Sequence, residues 1–142
     1  MQGRRMADER PPLLAELVWS DRLRFGATSG RSAAVVDGDG EAGPSPMQAL
    51  AFGVAGCMAA DVVSILQKGR HPLTGMRVSM AATRAPDHPR RFTHLSMEFH
   101  VTGNVPSEAM DRAVSLSREK YCSAFHSLRQ DITLDVRVTI QP

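Results

Sequence analysis

Residues 43–66, GPSPMQALAFGVAGCMAADVVSIL, decide the reading of this chain. Gly43 and Pro44 close a loop, Ser45 is suited to cap a helix, and Pro46 suits its first helical position. The spacing predicts a helix from about Pro46 to Lys68. Ala49, Leu50, Phe52, Val54, Ala55, Cys57, Val62, Val63, Ile65 and Leu66 make it apolar on nearly every face. A helix hydrophobic all round belongs in an interior, so it is expected to be central and packed on more than one side. Gly53 and Gly56 each cost roughly 1 kcal/mol of helix propensity relative to Ala, which leads us to expect a second backbone close by.

Outward from this helix, the flanking segments read as strands. On its N-terminal side, LLAELVWS (13–20), RLRFGAT (22–28) and SAAVV (32–36) form an antiparallel meander, with turn signals at Ser20-Asp21 and Ser29-Gly30. The stretch DGDGEAGPSP (37–46) is a loop. Residues 1–12, mixed in charge and ending in Pro11 and Pro12, read as a flexible tail, leaving 13–142 as one domain. On the C-terminal side, GMRVSMAATRAP (75–86) and FTHLSMEFHVTG (92–103) alternate as strands with one buried face, joined by a hairpin-type turn at DHPRR. A second helix follows in NVPSEAMDRAVSLSREKY (104–121), with Met110, Ala113, Val114, Ser117 and Tyr121 on one face. SAFHSLRQ reads as a short further helical turn, and DITLDVRVTIQP alternates as a final strand. The order β-β-β-α-β-β-α-β is that of an α+β sandwich in which helices cover antiparallel sheets.

Composition narrows the function classes. The chain has 142 residues, 42% hydrophobic but only 5% aromatic, so its core is built from Ala, Val, Leu and Met. Seventeen Lys and Arg against 15 Asp and Glu leave a net charge of +2 without a basic stripe, so no nucleic-acid partner is expected. No membrane partner is expected either, because polar residues interrupt every long apolar run and the N-terminus lacks a signal-peptide core. A cytoplasmic location follows as the expectation. The histidines at 71, 88, 94, 100 and 126 show neither HExxH spacing nor pairing with a CxxC, so we expect no metal and no cofactor.

Chemistry is then expected at the two cysteines, Cys57 in the apolar helix and Cys122 in KYCSAF. In a reducing compartment a disulfide between them would be transient, catalytic or regulatory. Thiol-based peroxide reduction needs one thiolate that becomes a sulfenic acid and a second thiol that condenses with it. A cation beside the first thiol would favour its thiolate, with Arg22, Arg24 and Arg31 as candidates. Asp61, one helical turn after Cys57, can face the same side as the thiol, or be an ordinary exposed carboxylate. Met47, Phe52 and Met58 suit an apolar pocket and equally a core or an interface.

The ordered phrases GPSPM, DVVSIL, RAPDHPRRFTHL and LSREKYCS, with the apolar run leading to Cys57, resemble the OsmC/Ohr family and its YhfA-type subgroup over roughly residues 19–140. The resemblance implies an intertwined homodimer with two central helices flanked by sheets. It also implies that Cys57 attacks an organic hydroperoxide, that Cys122 resolves it, and that a dithiol reductant of the lipoyl type restores both. By the same resemblance, the setting SGRSA selects Arg31 as the arginine of the site. One departure stands out: where such proteins carry a glutamate ten residues before the cysteine, this chain has Met47, followed by Gln48, which can accept a hydrogen bond but brings no charge. The alternative is therefore a noncatalytic relative that binds a small hydrophobic ligand or senses redox state at the dimer interface.

Overall fold

The computed structural model describes residues 10–142. Nine residues of the expected tail lie outside that range, and Arg10 to Pro12 show no regular structure. The described residues form two compact units, divided between Ala49 and Leu50.

The first unit is the expected meander. Strands β1 (Glu16–Asp21), β2 (Arg24–Ser29) and β3 (Ser32–Asp37) form an antiparallel sheet in that order. The β2–β3 turn falls at Ser29-Gly30 as expected, Gly30 supplying a φ of 56° that favours glycine. The first turn sits two residues later than expected, at Arg22 and Leu23, where Arg22 takes the positive φ. The loop after β3 is organised by Asp37, which is fully buried. Its carboxylate accepts hydrogen bonds from the backbone N–H groups of Asp39 (2.9 Å), Ala42 (2.9 Å) and Glu41 (3.3 Å), and Arg24 lies 3.4 Å away. The Ala42 and Asp39 N–H groups, with Glu41 and the Arg24 charge adding to them, hold the Asp37 carboxyl below its ordinary value against the opposing effect of burial. Gly43 is required where this loop presses on β3, since a Cβ there would collide with the Val35 carbonyl.

The helix α1 (Pro46–Lys68) begins where the sequence placed it. The Gln48 N–H donates to Ser45 Oγ (3.1 Å) while the Ser45 N–H donates to Gln48 Oε1 (2.9 Å), a reciprocal capping box that satisfies two helix-end donors. Only one stripe of α1 is buried: Val54, Met58, Val62 and Leu66, each four residues from the last. Leu50 and Phe52 are exposed, and a Cβ at Gly53 or Gly56 would meet nothing within 4 Å. Among the described residues the expectations of burial on several sides and of a backbone close to the glycines are therefore not met. By length and composition alone α1 could cross a bilayer, with a mean hydropathy of 2.0 over its most apolar window. Its buried stripe and the bond from Asp61 to Ser117 fasten it instead into the second unit.

The second unit is built on β4 (Leu73–Arg84), β5 (Phe92–Gly103) and β6 (Thr133–Gln141), with β5 central. Alternation places apolar rows across the three strands: Ala82, Leu95 and Leu134; Met80, Met97 and Val136; Val78, Phe99 and Val138; Met76, Val101 and Ile140. These rows are the residues that period two selects in the sequence. The sheet is mixed, because β5 pairs with β6 in parallel. That corrects the expectation of wholly antiparallel sheets: β5 and β6 are joined by a helical crossover, which returns the chain in the same direction. The crossover contains α2 (Ser107–Leu116), a five-residue π-helical extension (Ser117–Tyr121) and α3 (Ser123–His126). The second helix, expected to open over Asn104 to Ser107, starts at Ser107 with extended Pro106 as its N-cap.

Two measurements check this account. Truncating Phe99, fully buried in the central strand, to Ala is expected to lower the denaturant-derived unfolding free energy by about 3–5 kcal/mol. Because the folded Asp37 carboxyl is depressed, its contribution is present above the unfolded value of about 3.9 and is lost as pH falls through the folded value. Acid titration of the wild type below about pH 4 is expected to show a loss of stability that is smaller in Asp37→Asn.

Candidate active site: two thiols and a carboxylate

Two helical segments carry the site. On α1, Cys57 and Asp61 lie one turn apart and flank the buried stripe, so both are half-buried. From the crossover comes Cys122, fully buried at the end of the π-helical extension. The two Sγ atoms and a carboxylate oxygen of Asp61 all lie within 4.8 Å of one another, and both thiols are free.

The π-helical turn sets the phase of the second segment. Its wider winding is closed by the Cys122 N–H donating to the Ser117 carbonyl (2.8 Å), an i to i−5 bond. Tyr121, expected on the buried face, is exposed, and Cys122 is turned inward in its place. Ser117 is also fully buried and donates from Oγ to Asp61 Oδ2 (2.8 Å), linking the crossover to α1. The sequence reading placed Ser117 on the buried face but not in the site. Its signal was a lone hydroxyl among Met110, Ala113 and Val114, since a buried hydroxyl needs a partner.

Electrostatics separate the two thiols. Burial pushes the Cys122 thiol up to about 11, the N–H of Phe125 donating to its sulfur (3.4 Å) opposes that, and the neighbouring Cys57 and the Asp61 charge raise it further. Cys122 is therefore a protonated thiol at neutral pH and is fully buried, while Cys57 is half-buried. Beside Asp61 a cleft of about 320 Å³ opens between α1 and the crossover, lined also by Ser64, Ile65, Lys68, Leu116 and Tyr121.

Of the residues singled out in the sequence, the structure brings together Cys57, Asp61 and Cys122. Arg31, Met47 and Gln48 belong to the first unit. Arg31 is exposed at the tip of the β2–β3 hairpin, and the Gln48 carbonyl oxygen is engaged in the capping box. Arg22 and Arg24 face acids of their own unit, Asp39 for the first (4.0 Å) and Asp37 and Glu41 for the second. Phe52 is 66% exposed on α1 and Met47 is half-buried in its first turn. No metal site was expected, yet Cys57, Asp61 and Cys122 are a set of side chains that could hold one. Histidine and CxxC spacing could not find it, because its members are brought together by the fold.

Comparison with known proteins agrees with this architecture. Residues 38–137 match the family model described as OsmC-like protein. Protein YhfA of Escherichia coli is 39% identical over 123 residues, covering 84% of this chain and 92% of YhfA. A hypothetical protein from Aquifex aeolicus superposes with a TM-score of 0.86 at 24% identity, covering 93% of this chain and 98% of its own. An organic hydroperoxide resistance protein from Elizabethkingia anophelis superposes with a TM-score of 0.68 at 14% identity, covering 95% and 100%. By the family model and the identity to YhfA, this chain belongs to the OsmC/Ohr family of OsmC-like proteins.

Proposed function

We propose that this protein is a thiol-dependent redox protein that reduces organic hydroperoxides, with Cys57 attacking and Cys122 resolving. The observation that carries the reading is the pair of free sulfurs within 4.8 Å, one half-buried and one enclosed. The Cys57 thiolate attacks the O–O bond, forming an S–O bond and releasing an alkoxide that takes up a proton. The Cys122 sulfur then displaces the hydroxyl of the Cys57 sulfenic acid, forming S–S, and the thiol proton leaves with it as water. Little motion is needed to reach the disulfide length of about 2.05 Å. A small dithiol of the lipoyl type reduces the disulfide by exchange. Members of the same fold named for organic hydroperoxide resistance support the substrate class.

The functional unit in this reading is a cytoplasmic homodimer. In the first unit Leu17, Val18 and Trp19 of β1, and in the second Leu50 and Phe52 of α1, are large, apolar and exposed, and such side chains are ones that a second copy would cover. By the family resemblance, Arg31 in the setting SGRSA is the arginine assigned to the thiolate. Capping by Gln48, in a helix with no acidic residue in its first turn, favours a second reading: a noncatalytic protein that binds a small hydrophobic ligand.

Intact-mass analysis after one equivalent of cumene hydroperoxide decides between them. The reduced wild type is expected to lose two hydrogens rapidly, and Cys122→Ser to stop at the sulfenic acid. An unchanged mass over minutes would overturn the peroxidase reading in favour of ligand binding. A second measurement follows the alkylation of each thiol by iodoacetamide near pH 7. With its value raised from 9.0 to about 11, Cys122 carries roughly 100-fold less thiolate than an ordinary cysteine. Peptide mapping is therefore expected to find Cys57 modified first, and Cys122 only when the pH is raised or the protein is unfolded.

A further inference from the structure

We propose that Cys57, Asp61 and Cys122 form a binding site for one soft divalent cation of the zinc type, occupied only while both thiols are reduced. Two sulfurs and a carboxylate oxygen within 4.8 Å of one another are a donor set that suits zinc, and such sites take three protein ligands with a fourth position open. Tetrahedral zinc holds such ligands about 3.3–3.8 Å apart, so side-chain movements of about 1 Å close the site. Cys57 and Asp61 have the i, i+4 spacing that lets one helix present two ligands to one ion.

The surroundings of these ligands suit the role. Ser117 Oγ holds one carboxylate oxygen of Asp61 at 2.8 Å and leaves the other available. The Phe125 N–H points at the Cys122 sulfur, and a donor of this kind stabilises a metal-bound thiolate. Among the described residues no Lys, Arg or His forms an ion pair with Asp61. A half-buried carboxylate beside two thiols is thus matched by a hydroxyl but, among the described residues, by no ion pair, since Lys68 lines the same cleft without forming one, and a divalent ion supplies the balancing charge. Binding forms two metal–sulfur bonds, and any proton on either sulfur leaves to solvent. The cleft bordered by Ser64, Ile65, Lys68, Leu116 and Tyr121 opens beside Asp61, one of the three ligands. A disulfide between the two sulfurs removes two of the three ligands, so the ion and an oxidant compete for one pair of atoms. The site requires only the reduced cluster, and it stands whether or not peroxide is turned over.

The test titrates the reduced, metal-stripped protein with cobalt(II) under anaerobic conditions and without peroxide. Expected are one ion per chain, a thiolate-to-cobalt charge-transfer absorption in the near ultraviolet, and its loss on adding zinc. Asp61→Asn, which keeps the shape and a hydrogen-bonding partner for Ser117, is expected to weaken binding at least about tenfold. Zinc is expected to protect both thiols of the unaltered protein from iodoacetamide, a readout independent of any variant's folding. Absence of the band at millimolar cobalt, equal affinity in Asp61→Asn, or alkylation indifferent to zinc would each overturn the three-ligand site.

Discussion

Burial of Val54, Met58, Val62 and Leu66 is the constraint on which the rest of the second unit depends. Four residues span slightly more than one helical turn, so this stripe fixes the rotation of α1 about its axis. With the rotation fixed, Cys57 precedes Met58 and Asp61 precedes Val62, each about 100° around from a buried neighbour. Both therefore lie at the edge of the core. An edge position leaves Cys57 half-buried while the Asp61 carboxylate still finds a buried partner. A quarter-turn of the helix would bury both groups or expose both.

The opposite wall of the site depends on an irregularity. Regular α-winding beyond Leu116 would carry forward the face of Met110, Ala113, Val114 and Ser117 to Tyr121, whereas the π-helical turn turns Cys122 inward and leaves Tyr121 outside. A wider turn costs backbone geometry and is found where a side chain must be aimed. Here it aims a sulfur at another sulfur. Ser117 contributes twice, its carbonyl closing the turn and its hydroxyl holding Asp61.

The first unit follows a different logic. Its sheet buries little within the chain, and its order comes from polar geometry: a buried Asp37 gathers three backbone N–H groups, and Ser45 and Gln48 cap each other at the start of α1. Such bonds specify a conformation without a large apolar core, because each buried acceptor left without a donor would cost about 1–3 kcal/mol. Large apolar side chains remain on its outside, Trp19 among them.

Much of this was legible from the residues alone. Period two marks the apolar rows of β4, β5 and β6, and Ser45-Pro46 marks the start of α1, because alternation and capping are local properties of the chain. The two cysteines and the motifs around them identified the family. The parallel pairing of β6, the π-helical turn, the role of Ser117 and the meeting of Cys57 with Asp61 and Cys122 were decided by tertiary structure. They depend on which surfaces pack together, and distances between residues far apart in sequence are set only when helix and crossover are buried against a common sheet. The sequence by itself determined which side chains can carry thiol chemistry. The fold determined that one cysteine is half-buried, the other enclosed, and a carboxylate set beside both.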